Sequence, residues 1–382
     1  MYIRHFMKKT SKTLLHWWNT TDKYTLIAAI GLLTIGLMLS MTASPTIANK
    51  MGLKPSYFIV RHFAYAFFGF SIILTLSTLR EETLKGLALI GFGISIILML
   101  LVPIIGYEIK GSKRWIRAFG FCLQPSEILK PCFILVIALL LDKTHQSRKW
   151  GYRALALIAL ITVMILLISQ PDIGTAILFL LTFCLQLFIN GMPIALVIGA
   201  LGLLFSLSLG CYMYFSHISE RINRFFASDL SYQTEKSLNA FKTSGFLGKG
   251  LGEGKIKETL PDSHTDFIFA VAAEEFGITT CIAIIGCFLF IGIVNIYRAT
   301  LTQNQFRILA IAGLSLMICL QASINMAVAV NLMPTKGMTL PLLSYGGSSM
   351  ISTSICIGML LSLTKKVDGH GITKYQLDRF NV

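Results

Sequence analysis

The residues best equipped for chemistry gather at Leu260–Gly277, which reads Leu-Pro-Asp-Ser-His-Thr-Asp-Phe-Ile-Phe-Ala-Val-Ala-Ala-Glu-Glu-Phe-Gly. Here a polar segment runs into an apolar one. Asp262, His264 and Asp266 stand at the junction, and Glu274 and Glu275 follow inside it. Ionisable groups at the entry to an apolar segment are costly and point to function. Asp266 has two readings that can coexist. It can cap the helix that begins with Phe-Ile-Phe. It can also act as a general base, because a carboxylate partly withdrawn from water holds a proton more readily near neutral pH. At 1.5 Å per residue, Glu274 and Glu275 lie about 12–14 Å further along that helix, too deep to work directly with Asp266. Glu275 reads as a buried structural group paired to another span.

Four further segments carry charge into apolar surroundings. In Gln124-Pro125-Ser126-Glu127-Ile128-Leu129-Lys130-Pro131, Glu127 and Lys130 share a helix face. Lys130 is either half of a local pair or a cation pointing into a polar cavity. In Gln170-Pro171-Asp172-Ile173-Gly174-Thr175, Asp172 is either a first-turn acid favoured by the helix dipole or the counter-ion that positions Lys130. The run Met333–Ser349 holds two prolines and a cluster of small polar residues, and irregular backbone at membrane depth is tolerated where it lines a cavity. Lys336, with Ser344 and Ser348, can bind a pyrophosphate through an ammonium, hydroxyls and backbone N–H groups. The alternative is close packing of small residues between helices. Finally, Gly111-Ser112-Lys113-Arg114-Trp115-Ile116 reads as an interfacial cation–aromatic anchor. Arg114, Lys130 and Lys336 together make a set of cations on one membrane face, and an anionic lipid-linked substrate is their simplest common partner.

The elements that position these groups follow from composition. The 382 residues are 54% hydrophobic and 13% charged, with a mean hydropathy of +0.71, whereas a soluble domain is about 25% charged. The chain therefore reads as an all-α membrane protein. Ten apolar runs approach the about 20 residues a spanning helix needs: Tyr24–Met41, Tyr57–Leu79, Leu84–Ile105, Ser126–Leu141, Tyr152–Ser169, Pro171–Ile189, Ile194–Phe215, Phe267–Tyr297, Phe306–Val330 and Leu340–Leu363. They define a single ten-helix bundle over 24–363, between a basic tail at 1–23 and a second tail at 364–382. A large extracytoplasmic loop, 216–265, joins helices 7 and 8. With both termini cytoplasmic, 17 Lys and Arg lie inside against 8 in the shorter outer segments, as the positive-inside rule requires. The first apolar run is longer than a signal-peptide core and reads as a retained span.

The net charge of +15 suits anionic headgroups or an anionic substrate. No soluble basic face is visible, so nucleic acid is not an expected partner. The eight cysteines lie in or beside apolar runs without Cys-x-x-Cys spacing, which argues for small packed residues rather than disulfides or zinc ligands. The glycines at 245, 248, 250, 252 and 254 do not match a dinucleotide fingerprint. They describe either a flexible loop or a hinge that closes over substrate.

Six of these pieces, in this order, resemble the SEDS family (shape, elongation, division and sporulation): Gly-Ser-Lys-Arg-Trp-Ile at 111–116, Gln-Pro-Ser-Glu at 124–127, Gln-Pro-Asp-Ile-Gly-Thr at 170–175, the glycine run at 245–254, Leu-Pro-Asp-Ser-His-Thr-Asp-Phe-Ile-Phe-Ala at 260–270, and the 334–349 run. Pro334-Thr335-Lys336-Gly337-Met338-Thr339-Leu340-Pro341 is similar to the division branch rather than the elongation branch. The chain departs from the family at Asp262, where Glu is usual, and at Arg61-His62, where Arg-Gln is common.

The resemblance implies a peptidoglycan glycosyltransferase that polymerises lipid II at the outer face of the bacterial cytoplasmic membrane, at the division septum. It implies a class B penicillin-binding protein as crosslinking partner, alongside other divisome membrane proteins and membrane lipids. The family's essential Asp matches Asp266, its loop Glu matches Glu258, and its membrane Lys, Gln-Pro-Asp acid and Pro-Thr-Lys lysine match Lys130, Asp172 and Lys336. His264 falls within the same motif and is expected at the substrate. No cofactor is dictated, and no metal cage is legible. A divalent cation, Mg or Mn, bridging Asp266 or Glu258 to pyrophosphate is compatible with these carboxylates. Two other functions fit a ten-span polar cavity: a transporter that flips lipid II, and a non-catalytic divisome scaffold.

Overall fold

In an apolar surround every backbone N–H and C=O must be satisfied within the protein, and a helix does so within its own segment. The structure is a computed structural model. It describes residues 17–109, 112–118, 121–147, 150–192, 232–334 and 337–365, with Leu15 and scattered positions between 195 and 223. Helices occupy the apolar runs. They are α1 (Lys23–Lys50), α2 (Tyr57–Thr78), α3 (Glu81–Ile105), α4 (Pro125–Ser147), α5 (Trp150–Ser169) and α6 (Ile173–Ile189), then α9 (Ile268–Thr300), α10 (Gln305–Ala329) and α11 (Gly347–Leu363). Six of these, α1, α2, α3, α5, α9 and α10, are long and apolar enough to cross a membrane. The run Ile194–Phe215 lies largely outside the described residues.

The expectation of a purely helical chain is corrected at Tyr107–Leu123. Three short strands, β1 (Tyr107–Ile109), β2 (Ser112–Ala118) and β3 (Phe121–Leu123), form an antiparallel sheet in the order β1-β2-β3. Tyr107 pairs with Trp115, and Ile116 with Leu123. The segment holding Arg114 is thus the middle strand of a paired sheet. The segment before α9 is also structured. It contains α7 (Tyr232–Ser244) and the single turn α8 (Ile256–Thr259). Thr234, Ser237, Ala240 and Ser244 are its buried stripe, spaced three or four apart as one helix face demands. Ser237 donates to the Ala329 carbonyl at 2.6 Å, and Phe241 meets Phe269 at 5.6 Å.

α4 is the central helix. From Leu129 to Ala138 it is buried all round, and it packs against α3, α5, α6, α10 and α11. Pro125 starts it where a missing N–H costs nothing. α2 and α11 lie closely side by side, because a Cβ on Gly69 would stand 2.6 Å from the Ser354 hydroxyl and one on Gly358 would stand 2.8 Å from Leu76. At one end of the bundle Asp22 caps α1 and pairs with Arg298 at 2.8 Å. Arg298 also donates to the Thr364 carbonyl. The opposite end carries the sheet, α7, α8 and the chemistry-bearing segments. α11 starts seven residues later than its apolar run, because Leu340–Gly346 is held in irregular backbone, with Leu342 at φ 63.

Candidate active site

The Asp262–Asp266 segment forms a tight turn. Asp262 adopts φ 54, a left-handed conformation that a short polar side chain tolerates. Its carbonyl accepts from the amides of Thr265, Asp266 and Phe267. α9 begins after this turn, and its N-cap position falls on Phe267, so Asp266 is not the N-cap that one reading made it. The turn is fastened from outside. Tyr345 donates its amide to the His264 carbonyl at 2.8 Å, and the Ser344 hydroxyl donates to the Thr265 carbonyl. Asn325 Nδ2 donates to the Asp266 carbonyl at 2.8 Å and to the Met338 carbonyl at 2.6 Å. The carboxylate itself is half-buried beside Gly337, where an added Cβ would stand 3.4 Å from Oδ2.

Lys130 is 1% exposed. Its ammonium donates to Glu127 Oε1 at 2.7 Å and to Gln321 Oε1 at 2.9 Å. Gln321 Nε2 donates in turn to the Thr339 carbonyl at 3.1 Å, and the Thr339 hydroxyl donates to Ser349 Oγ at 2.6 Å. Gln321 and Asn325 are four residues apart on α10 and so share one face. One helix therefore holds Lys130 at one amide and the chain leaving Asp266 at the next, and both grip the irregular Met338–Thr339 backbone. Neither amide was singled out from the sequence. The signal was present, since Gln and Asn at i, i+4 within an apolar helix must meet partners inside the protein.

Asp172 does not serve as the counter-ion of Lys130. It lies 3.5 Å from Arg114 Nη1, accepts from Thr175 N at 3.4 Å as the N-cap of α6, and accepts from Gln124 at 3.4 Å. Arg114 also donates through Nε to the Gln170 carbonyl at 2.9 Å and through Nη2 to the Pro171 carbonyl. Its fork is engaged by the turn before α6, so it locks the sheet onto that turn instead of reaching freely toward a phosphate. The two serines are corrected in the same way. Ser344 accepts from Leu340 N at 2.8 Å while donating to Thr265. Ser348 accepts from Gln124 N and donates to the Cys122 carbonyl, both at 3.0 Å. Irregular backbone leaves orphan donors and acceptors, and these hydroxyls satisfy them.

His264 packs against Phe58 and Tyr345, each at 5.1 Å. Burial pushes its imidazole down to about 4, against a smaller opposing pull from Asp262. Its ring forms an aromatic cluster with Phe58 and Tyr345. Glu258 is exposed on α8, and its carbonyl accepts from Lys50 at the end of α1. Glu275, expected to pair with another span, pairs instead with Lys257 of α8 at 2.5 Å. Lys336 and Thr335 lie outside the described residues. Among the described residues no three His, Cys, Asp or Glu side chains converge as a metal group. A divalent cation at Asp266 or Glu258 would take its remaining ligands from substrate phosphates and water, as Mg²⁺ commonly does.

Residues 23–368 match the model of the FtsW/RodA/SpoVE family, described as cell cycle proteins. A probable peptidoglycan glycosyltransferase FtsW of Caulobacter vibrioides is 34% identical over 369 residues, covering 96% of this chain and 95% of its own. A protein of the same description from Geobacter sulfurreducens is 34% identical over 358 residues, covering 91% and 96%. Among solved structures, a chain from a peptidoglycan synthase complex that coordinates polymerization and crosslinking superposes with a TM-score of 0.75. It is 26% identical, over 90% of this chain and 97% of the other. The Thermus thermophilus rod shape determining protein RodA superposes with a TM-score of 0.69 at 26% identity, over 91% and 97%.

Proposed function

Because the chain belongs to the FtsW/RodA/SpoVE family of cell cycle proteins, we propose that it is a division-type peptidoglycan glycosyltransferase that polymerises lipid II. The observation that carries the site assignment is the pair of amides on α10. Gln321 holds Lys130, and Asn325 holds the chain at Asp266, so a base and a buried cation are organised by one helix. Asp266 removes the proton from the 4-hydroxyl of the acceptor GlcNAc. The oxygen attacks the anomeric carbon of the donor MurNAc with inversion, and undecaprenyl pyrophosphate leaves.

Lys130 and Lys336 stabilise the charge developing on the leaving group, as preorganised cations do in a dry site. Arg114 and Asp172 act one step back, by fixing the sheet and the α6 turn at the cavity rim. The chain spans the cytoplasmic membrane ten times with both termini inside. The Asp266 end faces outward, on the side of the large loop 216–265, and the enzyme works at the septum with a class B penicillin-binding protein and other divisome proteins. The test is polymerisation of fluorescent lipid II in proteoliposomes containing that partner, with and without Mg²⁺. Wild type should make glycan strands and Asp266→Asn none. Full polymerisation by Asp266→Asn would overturn the assignment.

A further inference from the structure

Glu274 and Glu275 take no part in this mechanism, yet both are fully buried. They directly precede a break in α9, where Gly277 has φ 81 and ψ −179. The break removes the helical bonds from Ile278 N to the Glu274 carbonyl and from Thr279 N to the Glu275 carbonyl. The glycine-rich loop occupies both gaps. Lys249 N and Gly250 N donate to the carbonyls of Glu274 and Glu275 at 2.9 and 3.0 Å, and Ile278 N and Thr279 N donate to the carbonyls of Gly245 and Phe246 at 3.2 and 3.4 Å. These four groups, orphaned by the break, are satisfied by one loop. Only glycine permits the approach. A Cβ on Gly248 would stand 2.2 Å from the Glu275 carbonyl oxygen, and one on Gly277 would stand 2.2 Å from the Phe246 oxygen.

The two carboxylates extend the same junction. Glu274 Oε1 accepts from Lys255 N and Ile256 N at 2.8 and 2.9 Å, and Oε2 accepts from Lys257 N at 3.1 Å. Glu275 pairs with the Lys257 ammonium at 2.5 Å, and that ammonium also donates to the Gly252 carbonyl at 2.8 Å. The junction therefore joins residue 257 to residues 274 and 275. It closes the base of the segment 258–273, within which lie Glu258, the Asp262 turn and Asp266.

We propose that Glu274 and Glu275, with Lys257 and Gly277, form a latch that positions Asp266 and Glu258 from below: they are positioning residues, not catalytic ones. This rests on the reading of Asp266 as the base. The glycine run is then neither a free loop nor an open hinge but the segment that fills the broken helix.

The test measures amide exchange and lipid II kinetics together for Glu274→Gln in proteoliposomes with the crosslinking partner. Exchange at 249–258 should quicken by about tenfold or more while α10 stays protected. kcat should fall by about 10- to 100-fold, with KM for lipid II within about threefold of wild type. Unchanged exchange overturns the latch, and faster exchange with wild-type kcat overturns its positioning role. If Glu274→Gln does not fold, the double variant Lys257→Met/Glu275→Gln, which leaves no buried charge in that pair, carries the same measurements and the same two refutations. Asp266→Asn is run beside them. Polymer formed by that variant would refute the base assignment alone, whatever the latch variants do.

Discussion

Replacing Lys130 with methionine removes an ammonium from a site that is 1% exposed and strips Glu127 Oε1 of a 2.7 Å partner. Glu127 Oε2 is already buried without a hydrogen bond among the described residues, so both carboxylate oxygens are left uncompensated. Breaking a buried pair from one side costs about 3–5 kcal/mol, and Lys130→Met should lose stability of that order. Removing both charges, as Lys130→Met/Glu127→Gln, should recover most of it, to within about 1.5 kcal/mol of wild type, because the amide introduced at 127 can also donate toward Gln321. Activity should not follow stability. With no ammonium to face the leaving pyrophosphate, both variants should polymerise lipid II about 100-fold or more slowly than wild type. The assay pairs denaturant unfolding in mild detergent with lipid II polymerisation on the same preparations. A double variant that polymerises at the wild-type rate would show that Lys130 serves only to neutralise Glu127. A single variant as stable as wild type would refute the buried-pair reasoning itself.

Asp172→Ala should remove the Arg114 ion pair and the α6 cap, while the Gln170 and Pro171 carbonyls still hold Arg114, costing about 1–3 kcal/mol. Asp172→Asn, which keeps the acceptor for Thr175 N, should cost less, as denaturant unfolding would show. His264 gives a pH signature. Its folded-state value of about 4 lies below the ordinary 6.5, so the unfolded chain binds more protons between those values. Its contribution is whole above pH 6.5 and is lost as pH falls toward 4, by about 3 kcal/mol. Stability measured from pH 7 to pH 4 should fall less steeply in His264→Phe, and identical slopes would refute the assignment.

Much of the architecture was legible because it is local. Nine apolar runs each hold a helix among the described residues, since an apolar segment must satisfy its own backbone, although α1 continues nine residues past its run and α4 six. The exceptions have local causes too. The sheet at Tyr107–Leu123 hid behind a cation–aromatic pattern that suits an interfacial anchor equally well. The late start of α11 follows from Leu340–Gly346, whose backbone is held by Ser344 and Leu342 rather than by helix bonds. At the site, the sequence pointed to Asp266 and Lys130 by the cost of placing charge beside apolar residues.

What the sequence alone determined is which charges enter the bundle, at what depth along their helices, and the motif order that identifies the family. What only the tertiary structure decided is which group each one meets. Arg114 and Asp172 are 58 residues apart, and Lys130 and Gln321 are 191 apart. Pairing at such separations depends on which helices are neighbours and how each is rotated, and no local pattern encodes that. Asp172 therefore went to Arg114 and Lys130 to Glu127 and Gln321, and the glycine run went into the gap in α9. Glu274 and Glu275 lie too far along the helix to act on Asp266 directly, and only the return of the loop across Gly277 brings them to bear on it.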